Sequence, residues 1–281
     1  MVSKPIIFGL AGSSCSGKTT IALNLIKLFP HTVIVHQDDF YKPDSQIPLN
    51  KDLGIQDWDC PEAFDMSAMV QSIRSTSKGL QSIGATNNDN KAEDAQSHFA
   101  SQWANPPEDV DKMVDASVLQ SLKQQILQSL HIDTQENIPF SIVLVEGILL
   151  FHDRVHGDDA YPATEFDAGM FIYAEYQTLK SRREARAGYT TKEGFWADPP
   201  GYFDSIVYPN FIKCHESFIQ RHPGILDKYT GTTNKKYSSE PDGTMSELAH
   251  IAVCSSDAPA ADILSACVYA ILDVWKMQQH E

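Results

Sequence analysis

The stretch Gly12-Ser13-Ser14-Cys15-Ser16-Gly17-Lys18-Thr19 constrains this chain more than any other feature, because it matches G-x-x-x-x-G-K-[ST] in full. Its flanks have the character such a loop requires. Ile6–Leu10 before it is a continuous apolar run, as a strand buried on both faces would be. Thr19–Phe29 after it carries Ile21, Leu25, Leu28 and Phe29 at helical spacing and stops at Pro30. Glycines let the backbone turn so that N–H groups converge on phosphate oxygens, and the helix N-terminus adds positive dipole character. Lys18 brings a charge to the outer phosphates, and the Thr19 hydroxyl is a magnesium ligand of the right kind.

The rest of the chain repeats the alternation of strand and helix. Thr32–His36, Ile142–Val145, Ala168–Ile172 and His250–Cys254 are further β-like runs. Near the end Ile263, Leu264, Cys267, Val268, Ile271, Leu272 and Trp275 form one helical stripe, with Asp257 and Pro259 as start signals. This pattern predicts an α/β fold with a parallel sheet flanked by helices, organised as a single domain over residues 1–281. A segment over about 78–105 departs from it. It is rich in Ser, Asn, Gln and Asp, with Asn87-Asn88-Asp89-Asn90-Lys91 the extreme, and is expected to be a solvated insertion. Val110–His131 then regains helical spacing.

Charge narrows the function classes. With 37 acidic against 22 basic residues the formal net charge is −15, which repels nucleic-acid backbones and anionic lipid. Neither nucleic acid nor membrane is therefore an expected partner. Five scattered cysteines, none paired at metal-ligand spacing, suit reduced thiols. The first residues show no signal-peptide pattern, so a cytoplasmic location is expected. A Ras-type GTPase would need Asn-Lys-x-Asp, and Asn234-Lys235-Lys236-Tyr237 lacks the carboxylate that reads guanine. A kinase of small molecules fits the size and charge best.

Three further sites carry candidate chemistry. The run Gln37-Asp38-Asp39-Phe40-Tyr41-Lys42-Pro43 follows the second strand, where the carboxyl end of a parallel strand faces the transferred phosphate. Asp38 is the candidate general base for an acceptor hydroxyl. Asp39 would cap a turn or orient its neighbours, and both acids as loop caps is the alternative. Glu146, ending the third strand, is either a magnesium-ordering acid or a surface acid. Arg182, Arg183 and Arg186 are dense for so acidic a chain. Arg183 and Arg186 would share a face on a helix, as in a lid over about 180–201, or the arginines form a solvated basic face.

These segments, with Asp57-Trp58-Asp59-Cys60-Pro61-Glu62-Ala63, Val145-Glu146-Gly147-Ile148-Leu149-Leu150-Phe151 and Asp198-Pro199-Pro200-Gly201-Tyr202-Phe203-Asp204, occur in the order seen in nicotinamide riboside kinases. The chain resembles that family over most of its length, in a fungal-like form with a polar insertion. The resemblance implies a five-stranded P-loop kinase fold and ATP-dependent phosphorylation of a riboside 5′-hydroxyl, with ATP and Mg2+ as cofactors. A uridine or cytidine kinase, and a nucleotide-binding protein without turnover, are the competing readings. The family pattern implies nucleotide contacts from Gly12 through Thr19, Thr20, Arg182 and Arg186, with Lys18 and Arg186 acting on the phosphates. It implies Thr19 and Glu146 at the metal and Asp38 as base. It also implies substrate contacts from Phe40, Lys42, Trp58, Asp59, Arg183, Tyr189 and Asp198, with Trp58 and Tyr189 against the pyridinium ring. Aromatic faces and nearby acids both attract such a cation. A monomer or weak homodimer acting on small molecules is expected.

Overall fold

Strands covered on both faces need no polar alternation, which is why the apolar runs of this chain are continuous. In the computed structural model they form one parallel sheet. The structure describes residues 4–86, 114–153, 161–186, 188–190, 195–222 and 251–280. Strand β1 (Ile6–Gly12) lies at the centre, followed by helix α1 (Lys18–Leu28) and β2 (Thr32–His36). A small hairpin, β3 (Leu49–Asn50) and β4 (Ile55–Gln56), precedes helix α2 (Met66–Thr86). Helix α3 (Ala116–Leu130) leads into β5 (Ile142–Gly147), and β6 (Ala168–Tyr173) leads into α4 (Tyr176–Glu184). A second hairpin, β7 (Tyr189–Thr190) and β8 (Phe195–Trp196), is followed by a π-helical turn over Phe203–Val207 and by α5 (Tyr208–Cys214) and α6 (Glu216–Arg221). Strand β9 (Ile251–Ser255) and helix α7 (Ala260–Gln278) complete the order.

The sheet order is β2-β5-β1-β6-β9, all parallel. Alternate side chains of β1 enter different layers, as the period of two requires. Ile6, Phe8 and Leu10 meet α1, α3 and α7 through Leu25, Leu122, Ile126, Leu264, Val268 and Ile271. Ile7 and Ala11 face the other layer, where Met69 and Ile73 of α2 pack with Phe171, Phe211 and Phe218. The expected strand and helix sites all hold, with shifts of a few residues at their ends.

One expectation needs correction. The polar segment expected over about 78–105 opens on α2, which continues to Thr86. Met69, Val70 and Ile73 anchor its first turns, and the polar turns beyond are compatible with a helix that has a solvent side. Residues 87–105 of that segment lie outside the described residues, as does Val110 of the next. The correction concerns Arg183 and Arg186. Helix α4 ends at Glu184, so the two arginines do not share a helix face. A single turn, with Arg186 N donating to Arg183 O at 3.0 Å, places Arg186 past the helix end.

Candidate active site

The carboxyl ends of β1, β2, β5 and β6 bring the candidate residues together. In the phosphate loop, Gly12 (φ 150°) and Gly17 (φ 94°) use positive φ, and so does Cys15 at φ 65°. The third is a non-glycine residue in left-handed backbone, a conformation kept where the surroundings enforce it. The Ser13 and Ser16 hydroxyls are buried and find no hydrogen-bond partner among the described residues. Lys18 is buried, donates to Ser13 O at 2.9 Å and stands 4.0 Å from Glu146 Oε1. Burial lowers its pKa against the opposing pull of Glu146 and Asp38. Thr20, half-buried on α1, accepts from Asn24 Nδ2 through its backbone carbonyl at 2.8 Å.

Glu146 has two assigned oxygens. Oε1 accepts from the Thr19 hydroxyl at 3.4 Å, and Oε2 pairs with His36 Nδ1 at 3.0 Å. His36 lies opposite Glu146 in the β2–β5 register. Burial opposes ionisation of this carboxyl, but His36 and Lys18 outweigh it and hold the pKa below the ordinary value. The neighbouring Gln37 is fully buried, and its Oε1 accepts from Ile148 N at 2.8 Å and Leu149 N at 2.9 Å. That bridge ties the end of β2 to the end of β5, so Asp38 is carried beside Glu146. Gly147 permits the approach, since a Cβ there would meet Gln37 at 2.6 Å.

Asp38 is exposed, with Glu146, Lys18 and His36 as its charged neighbours. Lost solvation and the Glu146 charge raise its pKa to about 6, against the pull of Lys18 and His36. A carboxyl so tuned ionises at neutral pH while remaining a better proton acceptor than an ordinary aspartate. Asp39 is half-buried beside it in the turn Gln37–Phe40.

The second half of the site is built on Arg183, only 7% exposed. Its Nε donates to Asp198 Oδ2 at 2.6 Å and its Nη2 to Asp198 Oδ1 at 3.2 Å, while Nη1 stands 3.5 Å from Asp59 Oδ1. Burial raises the Asp59 pKa, and the guanidinium restrains the shift. Trp196 donates Nε1 to Asp198 Oδ1 at 3.0 Å. Its ring centroid is 5.8 Å from that of Trp58, and Tyr41 meets Trp58 edge-on at 5.4 Å. The arginines separate by task. Arg182 Nη1 donates to Cys15 O at 3.3 Å and Ser256 Oγ at 3.2 Å, and Arg186 Nη1 lies 3.9 Å from Cys15 Sγ. Both therefore sit over the phosphate loop, whereas Arg183 turns inward.

Two expected substrate contacts have other engagements. Lys42 donates Nζ to Glu62 O at 2.7 Å, and the half-buried Phe40 packs against the apolar layer. Tyr189 begins β7, but its side chain lies outside the described residues. Sequence reasoning missed His36, Gln37, Tyr41 and Trp196. Trp196 had a signal, since it stands two residues before Asp198 in the extended segment leading to Pro199. His36 had one only through the strand register.

Thr19 and Glu146 fit magnesium. They offer a hydroxyl and a carboxylate oxygen 3.4 Å apart, hard donors of the few that magnesium takes from protein when phosphates supply the rest. Among the described residues no three His, Cys, Asp or Glu side chains cluster as an all-protein cage.

The glycine-bounded loop at the end of β1, the Asp38 carboxyl at the end of β2 and the buried Arg183 with its acids and tryptophans are the parts of this site. Fold and site thus define a phosphate-loop kinase of small molecules. The chain is 34% identical over 218 residues to the nicotinamide riboside kinase of Schizosaccharomyces pombe, a match covering 76% of this chain and 81% of that one. It is 33% identical over 213 residues to the Eremothecium gossypii enzyme of the same name (75% and 76% covered) and 31% over 248 residues to that of Saccharomyces cerevisiae (86% and 92%). It belongs to the nicotinamide riboside kinase family. No protein-family model matches the chain.

Proposed function

We propose that the chain transfers the γ-phosphoryl group of ATP to the 5′-hydroxyl of nicotinamide riboside, and of nicotinic acid riboside, giving the mononucleotide used in NAD synthesis. The observation that carries this reading is the pairing of Trp58 and Trp196 rings at 5.8 Å beside Asp198 and Asp59. Aromatic faces backed by acids favour a cationic ring over a neutral pyrimidine. The Asp59–Arg183 pair suits a vicinal diol, which can donate to the carboxylate and accept from the guanidinium.

The loop backbone from Gly12 through Thr20 and the Lys18 ammonium hold the phosphates, with Arg182 and Arg186 above them. Asp38 accepts the 5′-hydroxyl proton as the oxygen–phosphorus bond forms and the bond to the ADP oxygen breaks, then returns the proton to solvent. Magnesium, held by Thr19 and Glu146, would draw charge from the phosphate oxygens. Most of the acceleration comes from positioning and fixed charge. The Trp58 and Trp196 faces hold the ring, with Tyr189 a further aromatic candidate. Phe40 and Lys42 shape the loop that carries Asp38.

A cytoplasmic site of action belongs to the same reading. It is supported by five free cysteines, and among the described residues no helix is long and apolar enough to cross a membrane. A monomer or weak homodimer acting on small molecules alone is proposed with it.

The test is a riboside panel with ATP and magnesium, read by product mass. Nicotinamide riboside is expected to gain one phosphoryl group and to outcompete uridine at equal concentration. Preference for uridine, or ATP binding without transfer to any riboside, overturns the reading.

A further inference from the structure

The loop Gln56-Asp57-Trp58-Asp59 carries the ring-facing tryptophan and the acid paired with Arg183, yet only Gln56 belongs to a regular strand. Its geometry comes from a distant part of the chain. Tyr202 is 1% exposed and sends its hydroxyl between two backbone groups of the loop. That oxygen accepts from Trp58 N at 3.0 Å and donates to Gln56 O at 3.2 Å. The Tyr202 ring meets Trp196 edge-on at 5.7 Å and has the Arg183 guanidinium carbon 5.8 Å from its centroid. Asn210 Nδ2 reaches the same loop, donating to Asp57 Oδ1 at 2.9 Å and Oδ2 at 2.8 Å, and Asp57 Oδ1 in turn accepts from Asp59 N at 3.1 Å.

Trp58, Asp59, Arg183 and Trp196 are thus referred to one tyrosine, with the asparagine bracing the loop's acid. Burial raises the Tyr202 pKa further above its already high ordinary value, so the hydroxyl stays protonated and keeps its donor role. The π-helical turn over Phe203–Val207 begins directly after Tyr202 and sets the offset to Asn210 on α5. An extra backbone residue in a helical turn re-aims the side chains on either side, and such turns are frequent at functional sites.

We propose that Tyr202 and Asn210 are positioning residues for the acceptor half of the site: they fix the Trp58–Asp59 loop against Arg183 and Trp196 and thereby set affinity for the riboside, without touching the phosphate loop. This rests on the proposed riboside kinase activity. The chemistry predicts a split between the two substrates. Without the hydroxyl, Trp58 N and Gln56 O lose their common partner and the loop gains freedom, whereas Lys18, Thr19, Glu146 and Asp38 keep theirs.

Tyr202→Phe keeps the buried ring and removes only the oxygen. The expected result is a riboside KM raised about tenfold, from the two lost hydrogen bonds, with kcat and the KM for ATP within about twofold of wild type. Asn210→Ala should act in the same direction. Amide hydrogen exchange at Trp58 should accelerate in Tyr202→Phe while β1 and β5 amides stay protected. An unchanged riboside KM, or both KM values rising together, overturns the proposal. If the wild-type chain phosphorylates no riboside, the functional reading fails on that result, and the exchange arm decides the clamp: unaltered Trp58 exchange in Tyr202→Phe overturns it.

Discussion

To serve as the proposed base Asp38 must be ionised, and its surroundings make ionisation harder. Lost solvation and the Glu146 charge raise its pKa from the ordinary 3.8 to about 6, with Lys18 and His36 limiting the rise. For an acid raised in this way, the folded chain holds more protons than the unfolded chain between those two values. Stability therefore falls as pH climbs through that window, and the ionised carboxylate is a cost at neutral pH. Activity has the opposite dependence, because kcat/KM for the riboside should drop as pH falls through about 6. Asp38→Asn separates the two effects. Turnover is expected to fall by about 10²- to 10⁴-fold, the usual worth of a general base, while the thermal midpoint at pH 7.5 stays equal to wild type or rises. Calorimetry beside a coupled ADP assay reads both, and a variant that keeps its rate would remove Asp38 from the mechanism.

At the scale of elements, the unit β1–loop–α1 was legible because each part has a local cause: an apolar run, a glycine-bounded octapeptide and an amphipathic stripe. Its placement against β6 was not legible. A Cβ at Gly12 would stand 2.1 Å from Ile172 O, across the β1–β6 register, and the residue sits at φ 150°. That glycine serves strand contact as much as phosphate approach. Gly12→Ala must displace either the loop or the end of β6, since a backbone carbonyl cannot yield as a flexible side chain does. Weaker ADP binding by at least tenfold and a thermal midpoint lowered by several degrees are expected, consistent with roughly 1–3 kcal/mol of local strain. Titration calorimetry with ADP reads the first effect, and an unchanged affinity would show that the loop tolerates the side chain. The arginine segment shows the opposite limit of sequence reading. Spacing alone put Arg183 and Arg186 on one face. The residues that separate them are Asp59 and Asp198, which draw Arg183 inward, and Cys15, beside which Arg186 lies. Partners so remote in the chain leave no periodic trace.

Across the whole molecule, the sheet order accounts for the site. Strands β2 and β1 flank β5, so Asp38 and the phosphate loop approach Glu146 from its two sides. The strands were legible because both faces are buried, and the acids at their ends because a parallel sheet exposes those ends together. The layer that supports them was less legible. Phe171 and Phe211 pack on His215, which is 0% exposed, and Phe218 packs on Phe171 behind it. The His215 Nδ1 donates to Phe211 O at 2.9 Å, and its buried Nε2 has no hydrogen-bond partner among the described residues. Burial lowers its pKa to about 3, with His152 adding to the fall and the Phe211 carbonyl opposing it. The sign follows: below pH 6.5 the unfolded chain takes up a proton that the folded chain refuses, so stability declines with acidification until about pH 3. The loss attributable to this group is at most about 1.4 kcal/mol per pH unit. His215→Gln retains a polar side chain but cannot titrate. Its thermal midpoint should therefore fall less steeply than that of wild type between pH 6.5 and 4.5, whatever its value at neutral pH. Parallel slopes in differential scanning calorimetry would mean that the acid sensitivity of the fold lies elsewhere.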